Sequence, residues 1–298
     1  QQLHEPWLLQ RLHQLLIEPM LPMLRGRRRL CIIPHGQLHF VPFQALFNTT
    51  TDGNSAALID HYHIVYAPSA TVLLDYCQQE RELADGSLLA MGYNSDLRHA
   101  EAECAAITKL VRDSKLLTAH EATGIALRQS AATFRWVHIA CHGSFNRHAP
   151  LMSYLRLADA PLYASDVLQQ LRLHADLVTL AACETGRNQV LKGDELLGLV
   201  RAFLYAGTAA VVVTLWPVDE LSTRIFMECF YRELMAGAAK ATALRTAQLY
   251  LRALTTSKII EILAQYGEDD PIAKVNAFNR MTAPAERQAS QDKCLFAH

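Results

Sequence analysis

The sequence predicts an α/β fold with a mainly parallel central sheet covered by helices on both faces. Three observations predict it. Short aliphatic runs alternate with amphipathic segments of about 10–15 residues, the rhythm of successive strand–helix–strand units. The most apolar runs, such as "VHIAC", "LVTLAA" and "AAVVV", are of strand length and apolar on both faces, as strands between two helical layers must be. Two of them stop abruptly at a reactive side chain followed within three residues by glycine. "VHIACHGSF" (137–145) stops at His142 and "LVTLAACETG" (177–186) at Cys183.

The elements follow in order. "WLLQRLHQLLIEPML" (7–21) spaces its apolar residues as a helix and ends at prolines. "RLCIIP" (29–34) reads as a short buried strand, and "HYHIVYAPSA" (61–70) alternates until Pro68 breaks it. "TVLLDYCQQERELA" (71–84) reads as a helix and "GSLLAMGY" (86–93) as a strand ending at Gly92. An amphipathic helix over 97–111, a strand and turn over 114–123, and a helix over 124–134 lead to the first motif strand. The two motif strands span 136–141 and 177–182, with a loop and a helix between them. "GDELLGLVRAFLYAG" (193–207) has an acidic first turn and a glycine stop, which suit the helix dipole and the C-cap. "TAAVVVTLWP" (208–217) is a buried strand, followed by amphipathic helices over 222–237 and 240–254. The tail, 255–298, is polar and irregular, with weak helical patterning.

A faint echo links "LCIIPHGQLHFVP" (30–42) to "VHIACHGSFNRHAP" (137–150), each a strand, a His-Gly and a loop ending in proline. It suggests a degenerate duplicated half. Residues 1–85 then form the N-terminal part and 86–298 the part that carries the chemistry.

With 298 residues, 51% of them hydrophobic, the chain can bury a substantial core. A net charge of −1 gives no electrostatic footprint for nucleic acid. The basic run from Arg25 to Arg29 reads as a solvated turn, with a partner-binding patch as the alternative. Seven cysteines, an odd number without a CxxC pair, imply a reduced, cytoplasmic protein. There is no signal peptide and no apolar stretch near 18 residues, so no membrane span is expected. The chain opens at Gln1 on an amphipathic pattern already under way, and reads as a piece of a longer protein. His35 and His39, or His61 and His63, lack a carboxylate or cysteine at ligand spacing, so no metal and no other cofactor is expected. Cys31, Cys77, Cys104 and Cys229 sit in apolar patterns and read as core thiols. Trp136 and Trp216 adjoin motif strands and read as core, with a pocket wall as the alternative.

In a parallel sheet, ligands bind outside the carboxyl ends of the strands, where both His142 and Cys183 fall. A nearby base raises the thiolate fraction of a cysteine, and the protonated imidazole can then serve the leaving amine. Gly143 has no Cβ, so its amide can approach a substrate. With the Cys183 amide it would form an oxyanion hole, worth roughly 3 kcal/mol per donor. Taken singly, each residue has a plain structural reading, a packed thiol or a strand-end imidazole. Their joint placement raises the catalytic one.

"HIACHGSF", "LVTLAACETG" and "KGDELLGLVRAFLYAGTAAVVVTLWPVDELSTRIFMECFYREL", in that order, resemble the CHAT family: caspase-like cysteine-peptidase domains often attached to tetratricopeptide repeats. "LCIIPHGQLHFVPFQAL" and "HYHIVYAPSATVLL" extend the resemblance over about residues 7–254. It implies a caspase-like three-layer sandwich with a His-Cys dyad at His142 and Cys183. "LWPVDE" (215–220) is similar to the separase stretch in which an acidic residue lines the pocket for a basic P1 side chain. By position that implies Asp219, with Asp194 and Glu195 as weaker candidates. The plain alternative for Asp219 is a helix N-terminal acid. Three features depart from the family. Cys141 stands where Thr or Ser is commoner, and in an extended strand it should face the packed layer, opposite His142. The loop after Cys183 is altered. The chain stops at "CLFAH", short of a final Trp-containing strand.

The expectation is therefore a cysteine endopeptidase acting on a specific protein. It would be latent until a partner or a repeat or sensor region triggers it, in bacterial defence or regulated proteolysis. The alternatives are a catalytically silent scaffold or interaction module and, more weakly, transpeptidation on the same dyad.

Overall fold

The computed structural model describes residues 5–49, 55–74, 86–93, 99–146, 148–182, 194–214, 218–267, 271 and 275, with the backbone alone for 194–197. The first section opens with helix α1 (Pro6–Leu16) and the short α2 (Leu21–Leu24), then β1 (Arg29–Ile32), β2 (Phe47–Thr49) and β3 (Ser55–Ala57). Short helix α3 (Leu58–His61), strand β4 (His63–Tyr66) and α4 (Ala70–Val72) follow. β1 pairs with β4 in parallel and β2 with β3 antiparallel. Ile17, Val41, Phe43, Leu46, Leu58 and Ile64 form their own buried cluster.

The expected buried strand at 29–34 is corrected here. β1 alternates between exposed and half-buried residues, and Cys31 is exposed rather than a core thiol. A two-stranded sheet covered on one face leaves alternate side chains in water. The two His-Gly stretches differ locally. Gly36 opens a short 3-10 turn at positive φ, whereas the glycine at 143 opens a strand.

The main body carries β5 (Ser87–Gly92), α5 (Ala100–Thr108), β6 (Asp113–Thr118), α6 (Gly124–Ser130) and β7 (Trp136–Ala140). A small antiparallel sheet of β8 (Gly143–Ser144), β9 (Tyr154–Arg156) and β10 (Pro161–Tyr163) comes next, then α7 (Ala164–Gln170) and β11 (Leu177–Ala181). α8 (Asp194–Tyr205), β12 (Val211–Val213), α9 (Glu220–Met235), α10 (Lys240–Arg252) and α11 (Thr256–Gln265) complete the described elements. The central sheet has the order β12-β11-β7-β5-β6, and every neighbouring pair is parallel. Its order reverses between β5 and β7, the kind of switch point outside whose carboxyl ends parallel sheets bind ligands.

Alternation along each strand divides the core into two layers. Leu89, Met91, Val137, Ile139, Cys141, Val178 and Leu180 pack with Leu127 of α6, Val167 of α7 and Phe203 of α8. Leu88, Ala90, Trp136, Ala140 and Leu177 pack with Ile107 of α5, Phe230 of α9 and Ala243 and Ala247 of α10. This is the three-layer, caspase-like α/β sandwich. Trp136 is core, as expected, and Cys104, Cys141 and Cys229 are buried. Cys77, Cys294 and Trp216 lie outside the described residues.

The tail differs from expectation. α11 is a formed helix, capped where the Lys258 amide donates to Thr255 Oγ1, and Ile259, Ile262 and Leu263 are buried. Its apolar residues recur at helical spacing, but a polar sequence on either side dilutes the pattern.

The first section is fastened to α10 by two arginines. Arg245 Nε donates to the Ile59 carbonyl at 2.6 Å, and its terminal nitrogen to the Asp60 carbonyl at 2.8 Å. Arg252 pairs with the Asp60 carboxylate, which also accepts the Ala57 amide at 2.8 Å. Burial opposes ionisation of Asp60, but the bonds from Arg252 and Ala57 outweigh it and lower its pKa. A folded value below the unfolded one, about 3.9, contributes stability above that pH and loses it as pH falls through the folded value. Hydrogen exchange in β1 and β4 should therefore accelerate below about pH 4 relative to β7. In Asp60→Asn the acceleration should already be present at pH 7.

Candidate active site

β7 and β11 run side by side with Trp136 opposite Leu177 and Ala140 opposite Ala181. The pairing continues one residue further, since the Cys141 amide donates to the Ala181 carbonyl at 3.3 Å. Cys141 points into the packed layer below α7 and α8, as expected, and burial pushes its thiol up to about 12. Such a thiol stays protonated and inert at neutral pH. His142, the next residue, is half-buried at the carboxyl edge of the sheet.

His142 is anchored through its backbone. The Arg156 amide of β9 donates to its carbonyl at 2.8 Å. Gly143 then faces Leu155 as a pair that exchanges no bonds of its own, because the ladder bonds go to the residues on either side. The Gly143 N–H is thereby directed away from β9. The glycine also sits close to its neighbours, which would have to shift by a few tenths of an ångström to admit a side chain. A Cβ at 143 would lie 3.2 Å from the Phe145 ring and 3.4 Å from the Ala182 Cβ. Ala182, the neighbour of Cys183 in sequence, thus lies against the neighbour of His142.

Cys183 falls outside the described residues, so the structure states no distance between its sulfur and His142. Asp194 opens α8, and neither its side chain nor that of Glu195 is described. Asp219 is described. It is the N-cap of α9: its Oδ2 accepts the Ser222 amide at 2.8 Å and the Ser222 hydroxyl at 2.9 Å. The helix-capping alternative weighed for this residue is therefore realised. Asp219 stands after β12, so it shares the carboxyl edge with His142. At that edge Glu220 Oε2 also accepts the His99 amide at 3.2 Å, joining the starts of α5 and α9.

The loop that follows His142 is built rather than merely polar. Asn146 Oδ1 accepts the amides of His148 and Ala149, and its own amide donates to Ser153 Oγ at 3.0 Å. Pro150 then meets α8. A Cβ on Gly198 would lie 2.3 Å from the Pro150 carbonyl oxygen, so backbone touches backbone there. This contact ties the loop after His142 to the helix that follows Cys183. Gly198→Val should force the two apart, cost roughly 1–3 kcal/mol of stability as overpacking does, and impair the site without touching it. Denaturant midpoints compared with activity would check this.

Two features were not anticipated from sequence. The antiparallel β8–β9–β10 unit is made of strands too short for a periodic signal. The second is a buried polar chain on the α5/α9 face. His138 Nε2 lies 2.9 Å from Glu103 Oε1, and Tyr231 OH lies 3.3 Å from His138 Nδ1 and 3.1 Å from Thr179 Oγ1. The only available signal was polar residues at the centres of two apolar strands.

A cavity of about 670 Å³ opens at the opposite, amino edge of the sheet, lined by Arg112, Arg135, Asp176, Met235 and Lys240 among others. It is not the candidate site. Asp176 already pairs with both Arg135 and Lys240, and the cavity lies at the amino ends of β5, β6, β7 and β11. Among the described residues no cluster of His, Cys, Asp or Glu could hold a metal ion, and no helix is long and apolar enough to cross a membrane.

A parallel sheet between two helical layers, with a histidine at the carboxyl end of a central strand, is consistent with a caspase-like sandwich. The chain belongs to the CHAT domain family: the family's model matches residues 7–285. The chain is also similar to Tetratricopeptide repeat protein 28 of Mus musculus and of Homo sapiens, 38% identical to each over 88 residues. That stretch is 30% of this chain, and the chain spans about 4% of those relatives' length.

Proposed function

We propose that the protein is a cysteine endopeptidase in which His142 is the general base and Cys183 the nucleophile. The observation that carries this reading is the register of β7 and β11. The offset between matched residues in that ladder is the same offset that separates His142 from Cys183 in the sequence. Each stands two residues beyond the last matched pair.

In this reading His142 takes the thiol proton and the sulfur attacks the scissile carbonyl carbon. The oxyanion is met by the amides of Gly143 and Cys183. Collapse of the tetrahedral species breaks the C–N bond, and His142 returns the proton to the leaving amine. Water, deprotonated by His142, then hydrolyses the thioester and regenerates the thiol. Asp219, with Asp194 and Glu195 as alternatives, would attract Lys or Arg at P1 by charge-assisted hydrogen bonds. Capping α9 occupies Asp219 Oδ2, and this role would fall to the other oxygen.

The substrate is a specific protein, and no nucleic acid or membrane is engaged by this domain. The relatives are named for tetratricopeptide repeats, and a repeat array of that kind is the region we assign to recognition or triggering. The cysteines at 31, 104, 141 and 229, none of them in a disulfide, suit a reducing, cytoplasmic compartment. The test is covalent labelling by peptidyl acyloxymethyl ketones that differ only at P1. Arg and Lys probes should label Cys183 and leave His142→Ala unlabelled, whereas Leu and Asp probes should react at least about tenfold more slowly. Equal labelling of the His142→Ala variant would contradict the dyad.

A further inference from the structure

His138 and Thr179 are each the third residue of their strands, and they face one another across the β7–β11 ladder. Both are fully buried, as is Tyr231, and Glu103 is nearly so. Together they link four elements: α5 through Glu103, β7 through His138, β11 through Thr179 and α9 through Tyr231. The Tyr231 hydroxyl donates to Thr179 Oγ1, which commits its one proton and leaves its oxygen to accept from His138 Nδ1. With both ring nitrogens protonated, Nδ1 donates to Tyr231 and Tyr231 donates to Thr179. Each of the four side chains then has a hydrogen-bond partner within the chain. Burial raises the pKa of the Tyr231 phenol, so it remains an O–H donor.

A polar chain of this kind is an odd filling for a core. Aliphatic residues of similar volume would be at least as stable, because desolvation of the charged members offsets their attraction. What aliphatic residues would not supply is register. Trp136, Val137, Ile139 and Ala140 of β7 are apolar on both faces, as are Leu177, Val178 and Leu180 of β11. In such strands the hydrophobic pattern distinguishes one pairing from another only weakly. A slip of two residues keeps each side chain on its face yet moves one strand end by roughly 7 Å. The His138–Thr179 pair, with partners fixed on two helices, has one register in which all four groups are satisfied.

We propose that the Glu103–His138–Tyr231–Thr179 chain is a positioning device that fixes the relative placement of β7 and β11 and, through it, the reactivity of the Cys183 thiol. This rests on the dyad reading above. His138 and its partners touch no substrate. They act through His142, which leaves β7 four residues beyond His138, and through Cys183, the same distance beyond Thr179.

The test is the rate of Cys183 alkylation by iodoacetamide from pH 6 to 9 in the whole protein, read by peptide mass spectrometry, with the thermal midpoint measured alongside. Tyr231→Phe removes both polar contacts of its hydroxyl and Thr179→Val removes one, each at nearly constant volume. Both should keep the fold, slow Cys183 alkylation at pH 7 by about tenfold, and move its pH profile upward by about one unit. Thr179→Ser, which keeps the hydroxyl, should restore the wild-type profile. A merely structural role would lower the thermal midpoint and leave the profile in place, and that result would overturn the proposal. His142→Ala separates the two levels of the argument. A shifted profile there with wild-type profiles in Tyr231→Phe and Thr179→Val overturns the positioning role alone. An unshifted profile in His142→Ala overturns the dyad and the positioning role together.

Discussion

Replacement of Cys183 by alanine, or of His142 by alanine, should abolish proteolysis while leaving the fold intact. The expected loss is on the order of 10⁴-fold or more for either, because the two residues act as one unit and removing either removes the covalent route. The double variant should be scarcely worse than either single one. The fold should survive because His142 sits half-exposed at a sheet edge rather than in either core layer. Melting temperatures within a few degrees of wild type would establish that the loss is chemical. Cys141→Ala is the matched control. Its thiol is fully buried and protonated, so it should lose stability by a small cavity and keep its activity.

Glu103→Ala should be the most damaging single change to the fold. It leaves His138, which has no solvent exposure, with a polar ring nitrogen facing nothing. Breaking a buried pair by removing one member costs about 3–5 kcal/mol, which corresponds to a fall in melting temperature of roughly 10 °C for a domain of this size. Glu103→Gln should cost much less, since its amide oxygen still accepts from His138 Nε2. A replacement of the whole chain, Glu103→Leu with His138→Leu and Tyr231→Phe, should recover most of the lost stability but not the reactivity of Cys183. Differential scanning calorimetry on the three variants would check the order.

The sequence made the outer frame legible because parallel strands buried on both faces leave unmistakable apolar runs. "VHIAC" and "LVTLA" read as strands for that reason, and their glycine-flanked ends point to a shared site. Core directions were readable too. Period-two alternation put Cys141 into the packed layer, where the structure has it. The small elements were not readable. β8 is only Gly143–Ser144, and its pairing with β9 is a tertiary event with no local periodicity. The apolar "RLCIIP" predicts a buried β1, but burial depends on whether a second layer covers the strand, and Cys31 is exposed. The polar chain escaped for the opposite reason. His138 and Thr179 are single polar letters inside apolar strands, and only the fold brings Glu103 and Tyr231 to them. The acidic candidates illustrate a similar limit. "PVDELS" is at once a helix-cap signature and a pocket motif, and Asp219 bonds to Ser222 as the first of these predicts.

The measurement that bears most directly on the dyad is a comparison of protein N-termini. Full-length wild-type protein and its Cys183→Ala variant would each be incubated with lysate from the source cell, and newly formed N-termini read by mass spectrometry. The account predicts a small set of termini present only with the wild type, each preceded by Lys or Arg. Identical termini with both proteins would contradict it, and would leave the caspase-like sandwich as a scaffold without peptidase chemistry.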